Sequence, residues 1–190
     1  KVARIICDVY VDEKTPFAGD PRQVLKRQLA RAEKMGYEFK VGPELEFFIF
    51  KGTNGNGAAD LSAVQVHDEA GYFDLATRDE AVELRQEIVP ALEKMGMKIE
   101  RSHHEVAQGQ HEIDFTYGNA LPIADAVLTY KTTVKTVSKK YGLYASFMPK
   151  PVYGINGSGM HVHQSLWNGD KNLFYDGSNE YWLSKTALSF

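Results

Sequence analysis

The chain has 190 residues, of which 43% are hydrophobic and 25% are charged, the balance of an ordinary globular protein. The formal net charge is -3 and the Lys and Arg residues are scattered, which excludes a basic surface for nucleic acid. No apolar run approaches the roughly 20 residues that span a bilayer, so we expect no membrane partner. The one cysteine, Cys7, excludes a disulfide within the chain and favours a reducing, cytoplasmic location.

The two ends of the sequence indicate a piece of a longer protein. The chain starts KVARIICDVY, without Met and already strand-like, and it stops at WLSKTALSF, which resembles the opening of a helix. We therefore expect residues 1–190 to be part of a larger folded domain.

The first third of the chain predicts a strand, a helix, a strand and a loop. Residues 3–11 are β-branched and apolar and predict a strand. Asp20 and Pro21 have the residue types of a helix cap and a first helical position, and Gly36 should end that helix. The alternating aromatic stretch YEFKVGPELEFFIF predicts the next strand, and the Gly- and Asn-rich residues 51–60 predict a loop.

The rest of the chain predicts two helices and two pairs of strands. Thr77–Glu80 (TRDE) fits a capping box for a helix that ends near Gly96 and that Pro90 should kink. The other predicted elements are strands at 97–107 and 111–117 around a QGQ turn, a helix at 122–141, and strands at 143–148 and 159–166. The hairpin spacing of the middle strands favours an α+β fold, a mostly antiparallel sheet with helices packed outside it.

Two short patterns place ionisable side chains together on one face of a strand. Successive strand residues point to opposite faces, so Glu44 and Glu46 in GPELEFF share a face, and so do His161 and His163 in GMHVH. Two neighbouring carboxylates repel each other unless a cation or a basic group lies between them. The first pattern therefore calls for a positive partner.

A third stretch, RSHHEVAQGQHEIDF, adds Glu105 and Glu112 on either side of a turn. If these strands are neighbours, four carboxylates and at least one imidazole converge on one patch. Carboxylate oxygens with an occasional imidazole suit Mg²⁺ or Mn²⁺, and the lack of thiolates argues against structural zinc. Because one Mg²⁺ keeps several waters, this many carboxylates predicts two metal ions, which is typical of phosphate chemistry.

Each pattern alone has an ordinary explanation. An E-x-E strand is most often a solvated face, surface His and Glu pairs are common, and the glycines at 154, 157 and 159 are most often a turn. Scattered Lys residues would be expected on such a face, and none lies between Val41 and Phe50 or between Arg101 and Tyr130. Joint occurrence beside apolar strands therefore favours the metal site.

Five stretches follow one another along the chain: CDVYVDEKTPFAGDPR, GPELEFFIF, GYFDL, HHEVAQGQHEIDF and FMPKPVYGINGSGMHVHQSL. Together they resemble the catalytic domain of type I glutamine synthetase. The resemblance covers essentially the whole chain, and NGSGMHxHxSL after FMPKP is highly specific. It implies that residues 1–190 are part of that domain, whose antiparallel sheet curves into a half-barrel with helices outside.

The resemblance also implies a role for each matching residue. The implied metal ligands are Glu46, Glu105 and Glu112 for a first ion on the glutamate-binding side, and Glu44 and His161 for a second ion beside the ATP phosphates. The other implied contacts are Asn156 and Gly157 with glutamate, Tyr72 with Glu105 in the ammonium pocket, His103 near the transferred phosphate, Glu100 at the ribose, and His163 and Ser165 on the nucleotide side.

The activity implied by the resemblance is ATP-dependent ligation of ammonia to glutamate through γ-glutamyl phosphate, with Mg²⁺ or Mn²⁺. The implied partners are glutamate, ammonium, ATP and other copies of the full-length chain, which form a dodecamer in the family. The short hairpin EVAQGQHE resembles the Bacillus-like or archaeal branch. The family's substrate-clamping arginines, a further carboxylate of the second metal site and the small N-terminal domain lie outside this sequence, so we expect the isolated chain to be inactive.

Three other hypotheses stand beside this one. A γ-glutamyl polyamine or methylamide synthetase would keep the same metal ligands, although Tyr72 and the intact NGSGMH favour ammonia. A catalytically inactive structural or regulatory relative should have lost metal carboxylates, and here every ligand position within the sequence is filled. A simple divalent-metal module would bind its metal without any effect of nucleotide.

Overall fold

The structure is a computed structural model that describes residues 3–52, 65–75 and 77–190. Its helices are α1 (Pro21–Lys34), α2 (Val82–Glu93), α3 (Ala120–Lys140) and α4 (Lys185–Ser189). Its strands are β1 (Glu38–Lys51), β2 (Ile99–His104), β3 (Gln110–Phe115), β4 (Gly118–Asn119), β5 (Leu143–Ser146), β6 (Met160–Asn168) and β7 (Lys171–Asn172).

These elements belong to two compact units. Unit 1 comprises Lys1–Gly42, Tyr117–Asp125 and His163–Phe190, and unit 2 comprises Pro43–Thr116 and Ala126–Val162. Most of the predicted site residues fall in unit 2.

In unit 2 the sheet is built on β1. This strand pairs with β3, where Glu46 lies opposite Glu112, and with β5, where Ile49 lies opposite Ala145. β3 pairs in turn with β2. Every pairing whose register the structure gives is antiparallel, which confirms the predicted α+β fold with a mostly antiparallel sheet.

The apolar face of this sheet makes the core of unit 2. Phe47 and Ile49 of β1 and Ile113 of β3 are completely buried. α2 packs against β2 and contributes the buried Ile88. α3 contributes the buried Tyr130, whose hydroxyl donates a hydrogen bond of 3.3 Å to a carbonyl oxygen of β1. The helices therefore cover the sheet, as predicted.

Unit 1 contains the predicted first helix. The carboxylate of Asp20 accepts from the backbone N–H of Arg22 at 3.0 Å, and Pro21 is the first helical residue. A second oxygen of Asp20 accepts from the N–H of Val9 at 3.1 Å, so the cap also holds the preceding segment. Gly36 follows the helix with φ of 80°, a conformation that glycine adopts without strain.

The strand predicted at residues 3–11 is wrong. In this segment only Tyr10 forms a bridge, an isolated one with Pro16. β-branched residues favour extended backbone, but a strand also needs a neighbour that accepts and donates along its length. The pattern of side chains carried no information about that neighbour.

The capping box predicted at Thr77–Glu80 is also wrong. α2 begins at Val82, after Ala81, which makes no side-chain cap bond. Asp79 instead accepts from the N–H of Ala81 at 3.1 Å and pairs with Arg85 at 2.6 Å. Asp79 therefore contacts the start of α2 through an ion pair with Arg85 and not through a capping box.

The remaining predicted elements are confirmed within a few residues, including Pro90 inside α2. The polar loop predicted at 51–60 lies, from residue 53 onward, outside the described residues. Among the residues that are described, no helix combines the length and the apolar character needed to cross a membrane.

Truncation of the α2 core contact tests this packing. Ile88 is 0% exposed, so Ile88→Ala should lower the free energy of unfolding by about 2–5 kcal/mol through lost burial and an unfilled cavity. Gln86→Ala, an exposed position on the same helix, should change it by less than about 0.5 kcal/mol. Urea denaturation followed by circular dichroism measures both, and equal effects would contradict the packing described here.

Candidate metal and substrate site

Three neighbouring strands of unit 2 bring predicted site residues side by side. Glu46 on β1 lies opposite Glu112 on β3, and Glu112 lies opposite His103 on β2. Residues directly opposite each other in an antiparallel sheet project from the same face. Glu46, Glu112 and His103 therefore form one row, called here the carboxylate row.

A second row of charged residues runs beside the first. Asp114 is two residues beyond Glu112 on β3 and lies opposite Arg101, whose Nε is 3.4 Å from its carboxylate. Glu44 is two residues before Glu46 on β1 and shares its face. Sequence reasoning missed Asp114, although its spacing of two from Glu112 on a strand could have identified it.

Two carboxylate oxygens at these rows are buried without a hydrogen-bond partner. They are Oε1 of Glu112 and Oδ1 of Asp114, in side chains of residues that are 7% and 6% exposed. A buried carboxylate oxygen that nothing satisfies costs free energy, and a cation would compensate it. These atoms are local evidence for a cation site on this face of the sheet.

The electrostatics of the rows agree with this interpretation. Burial, followed by the negative charges of Asp114 and Glu105, raises the pKa of Glu112 from 4.5 to about 8. Burial and the charge of Glu44 raise the pKa of Asp114 as well. The ionised forms of Glu112 and Asp114 are therefore unfavourable unless a positive charge lies close to them.

Glu105 lies just past the end of β2 and is 8% exposed. One of its oxygens lies 3.6 Å from Nδ1 of His103, and the other accepts from the N–H of Val106 at 3.0 Å. Nε2 of the same histidine lies 3.3 Å from Glu112. The imidazole thus stands between two of the three ligands implied for the first metal ion.

The residues implied for the second ion also meet. Nδ1 of His161 is 3.1 Å from Oε2 of Glu44. Gly159 keeps the space beside them open, because a Cβ there would lie 3.1 Å from both Oε1 of Glu46 and Nε2 of His161. Oε1 of Glu46, a ligand implied for the first ion, and Nε2 of His161, a ligand implied for the second ion, therefore border the same gap.

The loop before β6 carries the residues implied for glutamate. A Cβ on Gly157 would lie 2.4 Å from the carbonyl oxygen of Pro149, so a side chain cannot be placed there without moving the backbone. The N–H of Ser158 donates to that same oxygen at 2.8 Å. Asn156, the residue before Gly157, is exposed.

An aromatic pair lies against His103. The ring of Tyr72 meets the imidazole edge to face at 5.9 Å, and its residue is 58% exposed. Phe73 stacks on the imidazole at 4.5 Å and has φ of 56°, which is unusual for a residue with a side chain. Its N–H donates to the carbonyl oxygen of His104 at 3.1 Å. No sequence signal pointed to Phe73.

The residues implied for the nucleotide are Glu100 in unit 2 and His163 and Ser165 in unit 1. Glu100 is exposed and lies where the pairing of β2 shifts register between Ile99 and Arg101, so it is outside the carboxylate row. His163 and Ser165 lie on the part of β6 that belongs to unit 1, where Ser165 accepts from the indole N–H of Trp167 at 2.9 Å.

The opposite face of β2 and β3, called here the back face, carries a second group of possible ligands, Asp68, His104 and His111. Nδ1 of His111 lies 2.9 Å from Arg85, which can only donate, so the imidazole proton is on Nε2. Burial and the charge of Arg85 hold the pKa of His111 well below its ordinary value, and the ring is neutral. Its Nε2 therefore offers no lone pair to a metal.

The face of β1, β2 and β3 that carries the carboxylate row is called here the front face. Its donor set fits a hard divalent cation. It offers carboxylate oxygens, two of which are buried without a hydrogen-bond partner, and one imidazole nitrogen. Glu46, Glu105 and Glu112 could hold one ion, and Glu44 and His161 could contribute to another.

Comparison with known proteins agrees with this chemistry. Residues 18–190 match the family described as "Glutamine synthetase, catalytic domain". The chain is 55% identical to glutamine synthetase of Clostridium saccharobutylicum and 53% identical to that of Thermus thermophilus; each alignment covers 100% of this chain and 42% of the relative. The chain thus spans about two fifths of the length of these relatives.

Solved structures give the same result. The glutamine synthetase of Plasmodium falciparum superimposes with a TM-score of 0.83 at 30% identity, over 95% of this chain and 40% of that one. A structure described as "Apo GmaS without ligand" gives 0.81 at 35% identity, over 92% of this chain and 41% of that one. The fold and site define a domain built on an antiparallel sheet with buried carboxylates on one face. The chain belongs to the glutamine synthetase catalytic-domain family.

The raised pKa of Glu112 predicts the pH dependence of stability. The folded protein, without metal, keeps a proton on Glu112 up to about pH 8, whereas the unfolded chain releases it near pH 4.5. Stability should therefore fall as pH rises through this window. Glu112→Gln removes that titration and should be more stable than wild type by about 1 kcal/mol or more at pH 8.

Urea unfolding of the full-length protein in EDTA at pH 5 and pH 8 measures this difference. Glu93→Gln is the control, because Glu93 is exposed at the end of α2. Parallel pH profiles for wild type and Glu112→Gln would show that burial does not perturb this carboxyl.

Proposed function

We propose that the protein containing this chain joins ammonia to the γ-carboxylate of L-glutamate and converts ATP to ADP and phosphate, with L-glutamine as product. The proposal is carried by the buried carboxylate row, with its unpartnered Glu112 oxygen, in a chain of the glutamine synthetase family. This donor set suits the cations that accompany phosphoryl transfer.

Two divalent cations, Mg²⁺ or Mn²⁺, would supply charge neutralisation between the phosphate and carboxylate oxygens, which otherwise repel each other. The ligands in this chain would be Glu46, Glu105 and Glu112 for one ion and Glu44 and His161 for the other. Gly159 leaves room between Glu46 and His161 for bound groups.

The chain's other residues would bind and orient the substrates. Asn156 offers its exposed amide to glutamate, and Gly157 lets the substrate approach the backbone. An oxygen of the γ-carboxylate then attacks the terminal phosphorus of ATP and ADP leaves, which forms γ-glutamyl phosphate. Glu100, His163 and Ser165 would contact the nucleotide.

The second half-reaction needs ammonia rather than ammonium. Glu105 would accept the proton, and its negative charge together with the π-face of Tyr72 would attract the cation. The nitrogen then attacks the γ-carbon and phosphate leaves. His103, held between Glu105 and Glu112, would lie near the transferred phosphoryl group.

A ligase for an organic amine, such as a polyamine or methylamine, is the second candidate. The likeness to the GmaS structure at 35% identity favours it, whereas identities of 55% and 53% to glutamine synthetases favour ammonia. For the whole protein we propose a cytoplasmic homo-oligomer, following the family.

Removal of one ligand charge tests the metal assignment. Glu46→Gln in the full-length protein should lower ammonium-dependent ADP release by more than about 100-fold at ordinary Mg²⁺, because loss of a direct ligand costs at least as much as loss of its supporting partner. Glu93→Gln, the same change at an exposed position, should leave turnover intact. Unchanged turnover in Glu46→Gln would remove this residue from the site.

A choice of amines tests the substrate. Full-length protein with ATP, glutamate and Mg²⁺ or Mn²⁺ should release ADP with ammonium and more than about tenfold slower with methylamine or putrescine at equal free-base concentration, a margin of about 1.4 kcal/mol in the barrier. Turnover with an organic amine alone would favour the second candidate. Silence with all three, from a folded oligomer, would favour a structural or regulatory relative.

A further inference from the structure

Gln110 is the first residue of β3 and is 1% exposed. Because it is two residues before Glu112 on the same strand, its side chain lies on the face that carries the carboxylate row. Neither the sequence patterns nor the proposed chemistry gives it a role. A buried amide must satisfy both its donors and its acceptor, so its partners show what it holds.

The hydrogen bonds of Gln110 determine which way its amide faces. The backbone N–H of Ala107 donates to Oε1 at 3.2 Å, so this end is the oxygen. The Nε2 end then donates to Oε2 of Glu46 at 2.7 Å and to the carbonyl oxygen of Gly157 at 2.9 Å. The hydroxyl oxygen of Ser158 is a third, longer neighbour at 3.3 Å.

These contacts leave one oxygen of Glu46 for a ligand. Oε2 accepts from Gln110 and also from the N–H of Gly159 at 3.1 Å, so its lone pairs are occupied. Oε1 borders the gap over Gly159, beside Nε2 of His161. The amide thus selects which carboxylate oxygen of Glu46 faces the cation.

We propose that Gln110 is a positioning residue that orients Glu46 towards a divalent cation and couples it to the Gly157 loop that would bind glutamate. The coupling follows from one amide group holding both the Glu46 carboxylate and the loop carbonyl. This inference rests on the proposed function, because the cation and glutamate are the ligands of that same site.

Gln110→Met tests the inference, because it keeps the length of the side chain and removes both donors. Mn²⁺ binding to the full-length protein, measured without nucleotide by the electron paramagnetic resonance signal of free Mn²⁺, should weaken 10–100-fold. Gln108→Met, at an exposed position of the same turn, should bind Mn²⁺ as wild type does. Equal Mn²⁺ affinity in Gln110→Met and wild type would overturn the inference.

A double-mutant cycle separates positioning from general destabilisation. If Gln110 acts through Glu46, Gln110→Met should weaken Mn²⁺ binding by less than twofold in a Glu46→Gln background. Independent, additive losses would overturn the inference. Should Gln110→Met fail to fold, Gln110→Asn serves in its place, since the amide remains but is too short to reach Glu46.

Steady-state kinetics of the full-length protein test the coupling between Gln110 and the Gly157 loop. Gln110→Met should raise KM for glutamate at saturating Mn²⁺, whereas KM for ATP should stay within twofold. A protein that binds Mn²⁺ in a Gln110-dependent way but turns over no amine would contradict the proposed function and leave the positioning role intact. An unchanged KM for glutamate would overturn the coupling to the loop.

Discussion

The site depends on carboxylates that are buried together on one face of β3 and its neighbours. Glu112 and Asp114 are nearly inaccessible, each retains an unpartnered oxygen, and burial raises the pKa of both. Water cannot stabilise their charge, and the nearby Arg101 reaches only Asp114. A divalent cation meets this constraint directly, because it supplies the positive charge and the coordination that the oxygens lack.

The sequence predicts an element well when a local interaction defines it. Asp20 caps α1 as its residue type indicates, and the alternation of GPELEFFIF predicts both β1 and the shared face of Glu44 and Glu46. The strand predicted at residues 3–11 fails because strand formation also requires a partner distant in sequence. The TRDE cap fails because Asp79 pairs with Arg85, a tertiary preference that outweighs the local motif.

The difference between local interactions and contacts distant in sequence also explains which site residues could be predicted. The meeting of Glu46 and Glu112 could be anticipated because each motif places its residue on or beside a strand, whereas only the family resemblance implied a role for His103. Gln110 and Asp114 were missed although they alternate with Glu112 in QHEIDF, since polar residues on a strand normally indicate solvent and not a fully buried strand. Phe73 carries no signal, because its stacking on His103 depends on a backbone conformation that composition does not encode.

The two faces of β2 and β3 divide the charge between them. On the back face, the buried acids Asp68 and Asp79 are each paired, with His104 at 2.8 Å and Arg85 at 2.6 Å. The bond to Asp68 and the bond to the Glu105 carbonyl outweigh burial and raise the pKa of His104, which suits a positive ring there. Each of these two acids thus has a basic partner on the back face, and Asp68 also accepts from the N–H of Gly109 in the hairpin turn at 3.0 Å. Because adjacent residues of one strand point to opposite faces, this network fixes the backbone from which Glu105 and Glu112 project. The hairpin is therefore held from behind, whereas on the front face Arg101 offsets only Asp114, and Glu112 keeps an unpartnered oxygen although His103 lies 3.3 Å from its carboxylate.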